Sequence, residues 1–289
     1  MLNQEIVHKI EEFVCIQPRS VLEISEHLKK NWRTTARYVE EIETQFGTLK
    51  TKTFRGGTRG ALKIVYWNLN EKISKNVFQQ ELEQQILNSR KKEDFSAFDI
   101  FQYVEEKHKS LVIEKSFETG NDNLNDMQSL IKSVKKQLIV FSGNLSWINL
   151  KNKKTNSFSF IDELVKKGVK IKVICDVNLS GIKNIEKLIS LNFKHNCELI
   201  EIKHRKQPLR GMISDNGQFR INEVAEATGK IEELNKGFFI FYTIKDKEWS
   251  EWLTKIFYKM FNTGTDVTLR MKELNKVFLE NKPYKQHKE

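Results

Sequence analysis

The stretch Phe160-Ile161-Asp162-Glu163-Leu164-Val165-Lys166-Lys167-Gly168-Val169-Lys170-Ile171-Lys172-Val173-Ile174 decides the fold class. It reads as a helix over 158–167, a turn at Gly168 and a strand over 169–175. The same alternation surrounds it. Upstream, Leu124, Met127, Ile131 and Val134 share one helical face ahead of a short apolar run over 138–141. Downstream, a helix over 184–191 precedes a strand over 198–203, an extended stretch over 209–214 and a strongly apolar strand over 237–244. Helices alternating with short apolar runs predict α/β organisation around a largely buried mixed sheet. Two helices close the chain. The one near 246–262 carries Trp249, Trp252 or Leu253, Ile256, Met260 and Phe261; the last carries Val267, Met271, Leu274 and Phe278. Its spacing leaves open whether it docks on its own domain or on a second subunit.

The first seventy residues follow another pattern, which makes the whole chain α+β. Ile6, Val7, Ile10, Phe13 and Val14 form one helical stripe. After a break at Gln17-Pro18-Arg19, Ser20 reads as the N-cap of a second helix bearing Val21, Ile24 and Leu28. Asn31 reads as the N-cap of a third, with Trp32, Ala36, Val39, Ile42 or Glu43, and Phe46 inward and Gly47 at its end. Two extended segments follow, separated by Arg55-Gly56-Gly57-Thr58-Arg59-Gly60, whose glycines permit hairpin backbone. Three short helices and a basic hairpin give the layout of a winged helix-turn-helix. In that layout the third helix enters the major groove, so Arg33, Thr34 and Arg37 are expected at base edges and Thr35 at a phosphate. Lys50, Lys52, Arg55, Arg59 and Lys63 are expected to make the wing's DNA contacts. No acidic residue occurs from 44 to 70.

Composition agrees. The 289 residues carry a formal net charge of +11, which favours an anionic partner, with duplex DNA first. Cys15, Cys175 and Cys197 form no CxxC pair, so no zinc ribbon or redox motif is expected. Cys15 and Cys175 read as small core residues. His195, Cys197 and His204 lack the further ligand that a metal site needs. No metal or cofactor is expected. The first residues do not read as a signal peptide and no uncharged apolar stretch would span a bilayer, so a soluble, cytoplasmic protein is expected.

The run Pro208-Leu209-Arg210-Gly211-Met212-Ile213-Ser214-Asp215 bears on activity. In the register Pro208-x-Arg210-x4-Asp215 it resembles the His-x-Lys-x4-Asp motif of the phospholipase D superfamily, and the unit over 160–174 is similar to that superfamily's helix–turn–strand. The resemblance implies a covalent histidine nucleophile, a lysine on the phosphate and a supporting aspartate. Here Pro208 stands where the nucleophile belongs and cannot attack phosphorus. Arg210 retains an anion-binding fork. His204-Arg205-Lys206 offers a second His-x-Lys, but Gly211 takes the acid's place.

A winged helix, a helical linker and a phospholipase-D-like body without the histidine together resemble the TrmB-like archaeal transcription regulators. That resemblance implies operator DNA bound by a homodimer and a small-molecule effector, a sugar in some members. No ligand-binding residue can be assigned from sequence. The expected domains are the winged helix over 1–70, a helical linker over 71–120 with a boundary at Gly120-Asn121-Asp122-Asn123, the α/β body over 121–265, and a C-terminal helix with basic tail over 266–289. The expected function is a non-enzymatic DNA-binding transcription regulator. The alternatives are a phospholipase-D-type nuclease using His195 or His204, and an architectural or replication-associated DNA binder.

Overall fold

A computed structural model describes residue 2 and residues 4–55, 61–67, 75–115, 121–151, 156–226 and 237–280. The head begins with three helices, α1 (Gln4–Ile16), α2 (Val21–Leu28) and α3 (Trp32–Gln45), and a small antiparallel sheet of β1 (Arg19–Ser20), β2 (Leu49–Phe54) and β3 (Leu62–Trp67) in the order β1-β3-β2. Ser20 starts α2 with a complete capping box: its hydroxyl accepts from Glu23 N–H at 3.1 Å, and the Glu23 carboxylate accepts from Ser20 N–H at 2.7 Å. Asn31 caps α3 by accepting from Arg33 N–H at 2.8 Å. Val7, Ile10, Val14, Ile24, Val39 and Ile42 close over Leu49 and Val65 as one core. Phe46 and Cys15, both expected inside, are exposed. Phe46 is the residue after α3, where the chain leaves the helical phase. Cys15 adjoins buried Val14 on the turned-out side of α1.

Strand alternation gives the wing sheet two buried faces. Leu49 and Val65 face the head's helices, whereas Phe54 and Tyr66 belong to a second core shared with the body. There Phe98 sits edge-on to both, 5.9 Å from the Phe54 ring and 5.3 Å from the Tyr66 ring. Phe98 lies on α5 (Ala97–Phe101), which follows α4 (Lys75–Asn88); β4 (Lys109–Lys115) comes next. The stretch expected as a purely helical linker therefore ends in a strand. β4 pairs along its length with the apolar strand β10 (Phe238–Lys245), which buries Leu111 and Ile113 against the same core.

The body continues as α6 (Asn121–Ser133), β5 (Gln137–Phe141), α7 (Ser157–Lys166), β6 (Lys170–Cys175), α8 (Ile182–Lys194), β7 (Ile200–His204), β8 (Gly211–Ser214), β9 (Gln218–Ala225), β10, α9 (Lys247–Asn262), β11 (Thr265–Asp266) and α10 (Val267–Glu280). Asn121–Asn123, expected as a turn cluster, open α6; Gly120 lies outside the described residues. The eight-stranded sheet runs β11-β7-β6-β5-β8-β9-β10-β4. β5, β6 and β7 are parallel neighbours, and the other pairings are antiparallel. The expected mixed sheet is what forms. Side chains of β5 divide between two cores. Ile139 and Phe141 join α4, α5 and α9 on one face, while Leu138 and Val140 join α6, α7 and α8 on the other. Val267, Met271 and Leu274 of α10 pack into that second core, so the closing helix docks on its own body.

Candidate functional site

Two regions hold the residues singled out by sequence. The first is the outer surface of the head. Along α3, Arg33 and Arg37 are exposed and Thr34 is half-buried, while Tyr38, Val39 and Ile42 are buried. Arg37 Nε lies 3.5 Å from Glu41 Oε1, one turn on, in an exposed pair that costs little to exchange. Thr35 is a correction: it is fully buried and its hydroxyl donates to Asn31 O at 3.2 Å, so it serves the helix and reaches no phosphate. Lys50 and Lys52 are another. They alternate with Leu49 and Thr51, share the Phe54 face and therefore turn toward the body. Lys52 Nζ stands 5.9 Å from the Phe101 ring. Both add to the positive field at Lys109, whose ammonium is held below the usual lysine range mainly by burial, against its pair with Glu106. Lys63 is bound to Glu40 of α3 at 2.7 Å. Arg55 is exposed where the hairpin leaves β2; the tip with Gly56, Gly57, Thr58, Arg59 and Gly60 lies outside the described residues.

The second region is the degenerate motif in the body. Its three residues separate. Asp215 is exposed, and its carboxylate accepts from the N–H groups of Lys135 at 3.0 Å and Lys136 at 2.6 Å, fixing the turn from α6 into β5. Pro208 is buried. Arg210 is held by its own loop: Nη1 donates to Gln207 O at 3.1 Å and Leu209 O at 2.7 Å. Its other edge lies against Gly143, where a Cβ would stand 3.1 Å from both Nε and Nη2. Burial lowers the guanidinium's pKa and the nearby Asp176 opposes that shift. The group stays charged.

Arg210 lines a cavity of about 700 Å³. One end is formed by the loops leaving β5 and β6, with Asn144 and Asp176; these are the carboxyl ends of parallel strands, where open α/β sheets place ligands. The floor is the outward face of β9 and β10, with Arg220, Asn222, Phe239 and Phe241. Arg220 is buried, its guanidinium 4.1 Å over the Phe241 ring and 3.8 Å from Asp126. Leu145, between Asn144 and Ser146 on the wall, holds φ 60, a left-handed conformation costly for a leucine. Of this set only Arg210 was singled out from sequence. Arg220 could have been: a lone arginine inside Phe219-Arg220-Ile221 must be paired or face a ligand.

His204 stands behind the cavity's Asp176, its Nδ1 3.7 Å from Asp176 Oδ1, and His195 stands on another part of the body. His204 Nδ1 accepts from Val177 N–H at 3.0 Å, and burial first, then Arg270, holds the imidazole below its ordinary pKa. His195 Nε2 is 2.6 Å from Asp162 Oδ1, a carboxylate also bonded to Lys194 and held below the usual range by both partners. Neither histidine lines the Arg210 cavity. Cys175 is buried and its thiol is pushed up to about 12 by that burial. Among the described residues, no group of three or more His, Cys, Asp and Glu side chains could hold a metal ion, and no helix is long and apolar enough to cross a membrane.

No family model matches the chain, and no curated protein matches it. Among solved structures, it is similar to Nuc, a phospholipase D family member from Salmonella typhimurium, at 15% identity over 55% of this chain and 97% of that one, with a TM-score of 0.40. It is similar to TrmBL2, an archaeal chromatin protein, at 15% identity over 92% of this chain and 94% of that one, with a TM-score of 0.40. A third is NucT from Helicobacter pylori, at 12% identity over 55% of this chain and 99% of that one, with a TM-score of 0.39. These are distant likenesses, and the site is read from its own residues.

Proposed function

We propose that this protein is a DNA-binding transcription regulator. It reads duplex DNA with α3, acts as a homodimer, and uses the body to bind an effector instead of breaking bonds. The observation that carries the reading is the division of α3. Its N-terminal half presents Arg33, Thr34 and Arg37 outward, while Tyr38, Val39 and Ile42 anchor the opposite face in the head core. Arginine forks on a rigidly seated helix match guanine edges, and the basic hairpin adds phosphate contacts. The non-catalytic reading of the body is supported by Pro208 at the nucleophile's place and by the engagement of His204 Nδ1 by the Val177 N–H and of His195 Nε2 by Asp162.

Selection of bound fragments from random duplex DNA tests it. We expect a discrete consensus, an affinity whose log–log salt slope steepens by about 0.9 per phosphate contact, and relaxed discrimination in Arg37→Ala. Arg59→Ala weakens all sequences alike. Uniform recovery of sequences favours the architectural reading, and cleavage of the recovered duplexes favours the nuclease; either outcome rejects the regulator.

A further inference from the structure

The cavity that Arg210 lines has a composition specific enough to name a ligand class. Three cationic side chains, Lys92, Arg210 and Arg220, line it together with the carboxylate Asp176; Asp126 stands 3.8 Å from Arg220, and Glu93 and Glu226 stand 3.5 and 3.8 Å from Lys92. The two guanidiniums are fixed before any ligand arrives. Arg210 is tied to two carbonyls and lies flat on Gly143, and Arg220 is stacked on Phe241. Fixed forks favour carboxylate and phosphate, because little side-chain entropy is lost on binding. The buried indole N–H of Trp147, which also lines the cavity, has no acceptor among the described residues. Met127, Leu130 and Phe239 supply apolar wall. A volume of about 700 Å³ is that of a small-molecule site.

We infer that the cavity binds a small amphipathic organic anion, a carboxylate or phosphate head on a planar apolar body. The head lies at Arg210 and Arg220, and the body lies along Phe239 and Trp147. A neutral sugar fits the space but offers no carboxylate or phosphate to the two guanidinium forks. The inference gives a chemical class to the effector of the preceding reading; the ligand's role as effector rests on that reading, while binding itself is measured without DNA and stands or falls independently of it.

Calorimetric titration of the full chain, without DNA, tests it. The probes are naphthalene-2-carboxylate and adenosine monophosphate, each beside its neutral counterpart, 2-naphthylmethanol or adenosine, with maltose as the sugar control. At least one anion is expected to bind tenfold or more tighter than its neutral counterpart and than maltose; which of the two does so identifies the head group. Arg210→Met is expected to weaken that binding tenfold or more. Val224→Trp, which fills the cavity from β9 and replaces no charged side chain, is expected to abolish it with an unchanged circular dichroism spectrum, and it keeps the test decisive if Arg210→Met does not fold. Absence of binding by both anions at millimolar concentration, equal binding of neutral and anionic probes, or binding that survives Val224→Trp overturns the inference. Anion binding with no effect on DNA affinity rejects the effector role and leaves the site standing.

Discussion

Asp99 gives the sharpest test of how the head is seated. It lies on α5, next to the Phe98 that supports the wing sheet, and burial first, then the Glu223 carboxylate, raises its pKa to about 7 from 3.8; a hydrogen bond from the Ser96 backbone opposes the shift. Tyr103 and Tyr242 are its other titratable neighbours. Glu223 is fixed, accepting from Ser96 Oγ at 2.9 Å, Ala97 N–H at 2.8 Å and Tyr242 OH at 2.5 Å. Because the folded carboxyl holds its proton more tightly than the unfolded one, the native state binds more protons between pH 4 and 7. The stability tied to this proton is fully present below about pH 4 and is lost as pH rises through 7. At 1.36 kcal/mol per pH unit the full loss is about 4 kcal/mol, and residual solvent access brings it to about 2–4 kcal/mol. Asp99→Asn removes the charge and keeps the shape. Urea unfolding should show the variant more stable than the wild type by about 2–4 kcal/mol at pH 8 and equal to it within about 0.5 kcal/mol at pH 3.5. The difference between the two proteins cancels the carboxylates that do not face Asp99, including the depressed Asp162, whose contribution has the opposite slope. An advantage that is the same at both pH values, or none at pH 8, refutes the account of a buried carboxyl facing Glu223.

Phe98→Ala opens a hole under Phe54 and Tyr66 and should cost about 3–5 kcal/mol. Hydrogen exchange should accelerate in β2 and β3 more than in β5 and β6, and Phe98→Leu should recover much of the loss. Ser20→Ala removes one half of the α2 capping box at about 1 kcal/mol, read as a lower urea midpoint for the whole chain; an early separate transition would show a head that melts alone. Asp215→Ala leaves the Lys135 and Lys136 amides without their carboxylate and should cost about 1 kcal/mol in unfolding experiments, with anion binding in the cavity unchanged.

The parts legible in the sequence are those whose side chains obey one period. α2 and α3 announced themselves by Ser20 and Asn31 because a cap needs a short oxygen-bearing side chain at one position. α9 did so because its buried residues, from Trp249 to Phe261, keep helical spacing throughout. β9 and β4 escaped. In β9, Phe219 and Ile221 face one core while Arg220 and Asn222 face the cavity, and a strand whose outer face is a polar site has no continuous apolar run to read. β4 is the edge of the sheet with its apolar residues half-buried, among Lys109, Ser110, Glu114 and Lys115. Lys50 and Lys52 misled for a related reason. Charge in a hairpin suggests DNA, but alternation along β2 decides which face it meets, and that face is covered by α5.

β9 joins these observations. Its outward face is the cavity floor, and Glu223 on its inward face holds the first residues of α5, whose Phe98 holds the wing sheet. The head is therefore not on a free tether: turning it away from the body means giving up the Phe98 contacts, which the alanine estimate puts at about 3–5 kcal/mol. A ligand in the cavity can shift DNA affinity only by the difference in its affinity for two arrangements of this chain of contacts. A tenfold regulatory effect asks for a difference of about 1.4 kcal/mol, less than the cost of undocking. Regulation of that size thus fits a small displacement of β9 passed through Glu223 to α5, and it does not fit release of the head. Glu223→Gln should therefore blunt any ligand effect on DNA affinity while leaving ligand affinity within threefold. Calorimetry and DNA titration on the same variant separate the two, and full regulation in that variant excludes β9 as the route.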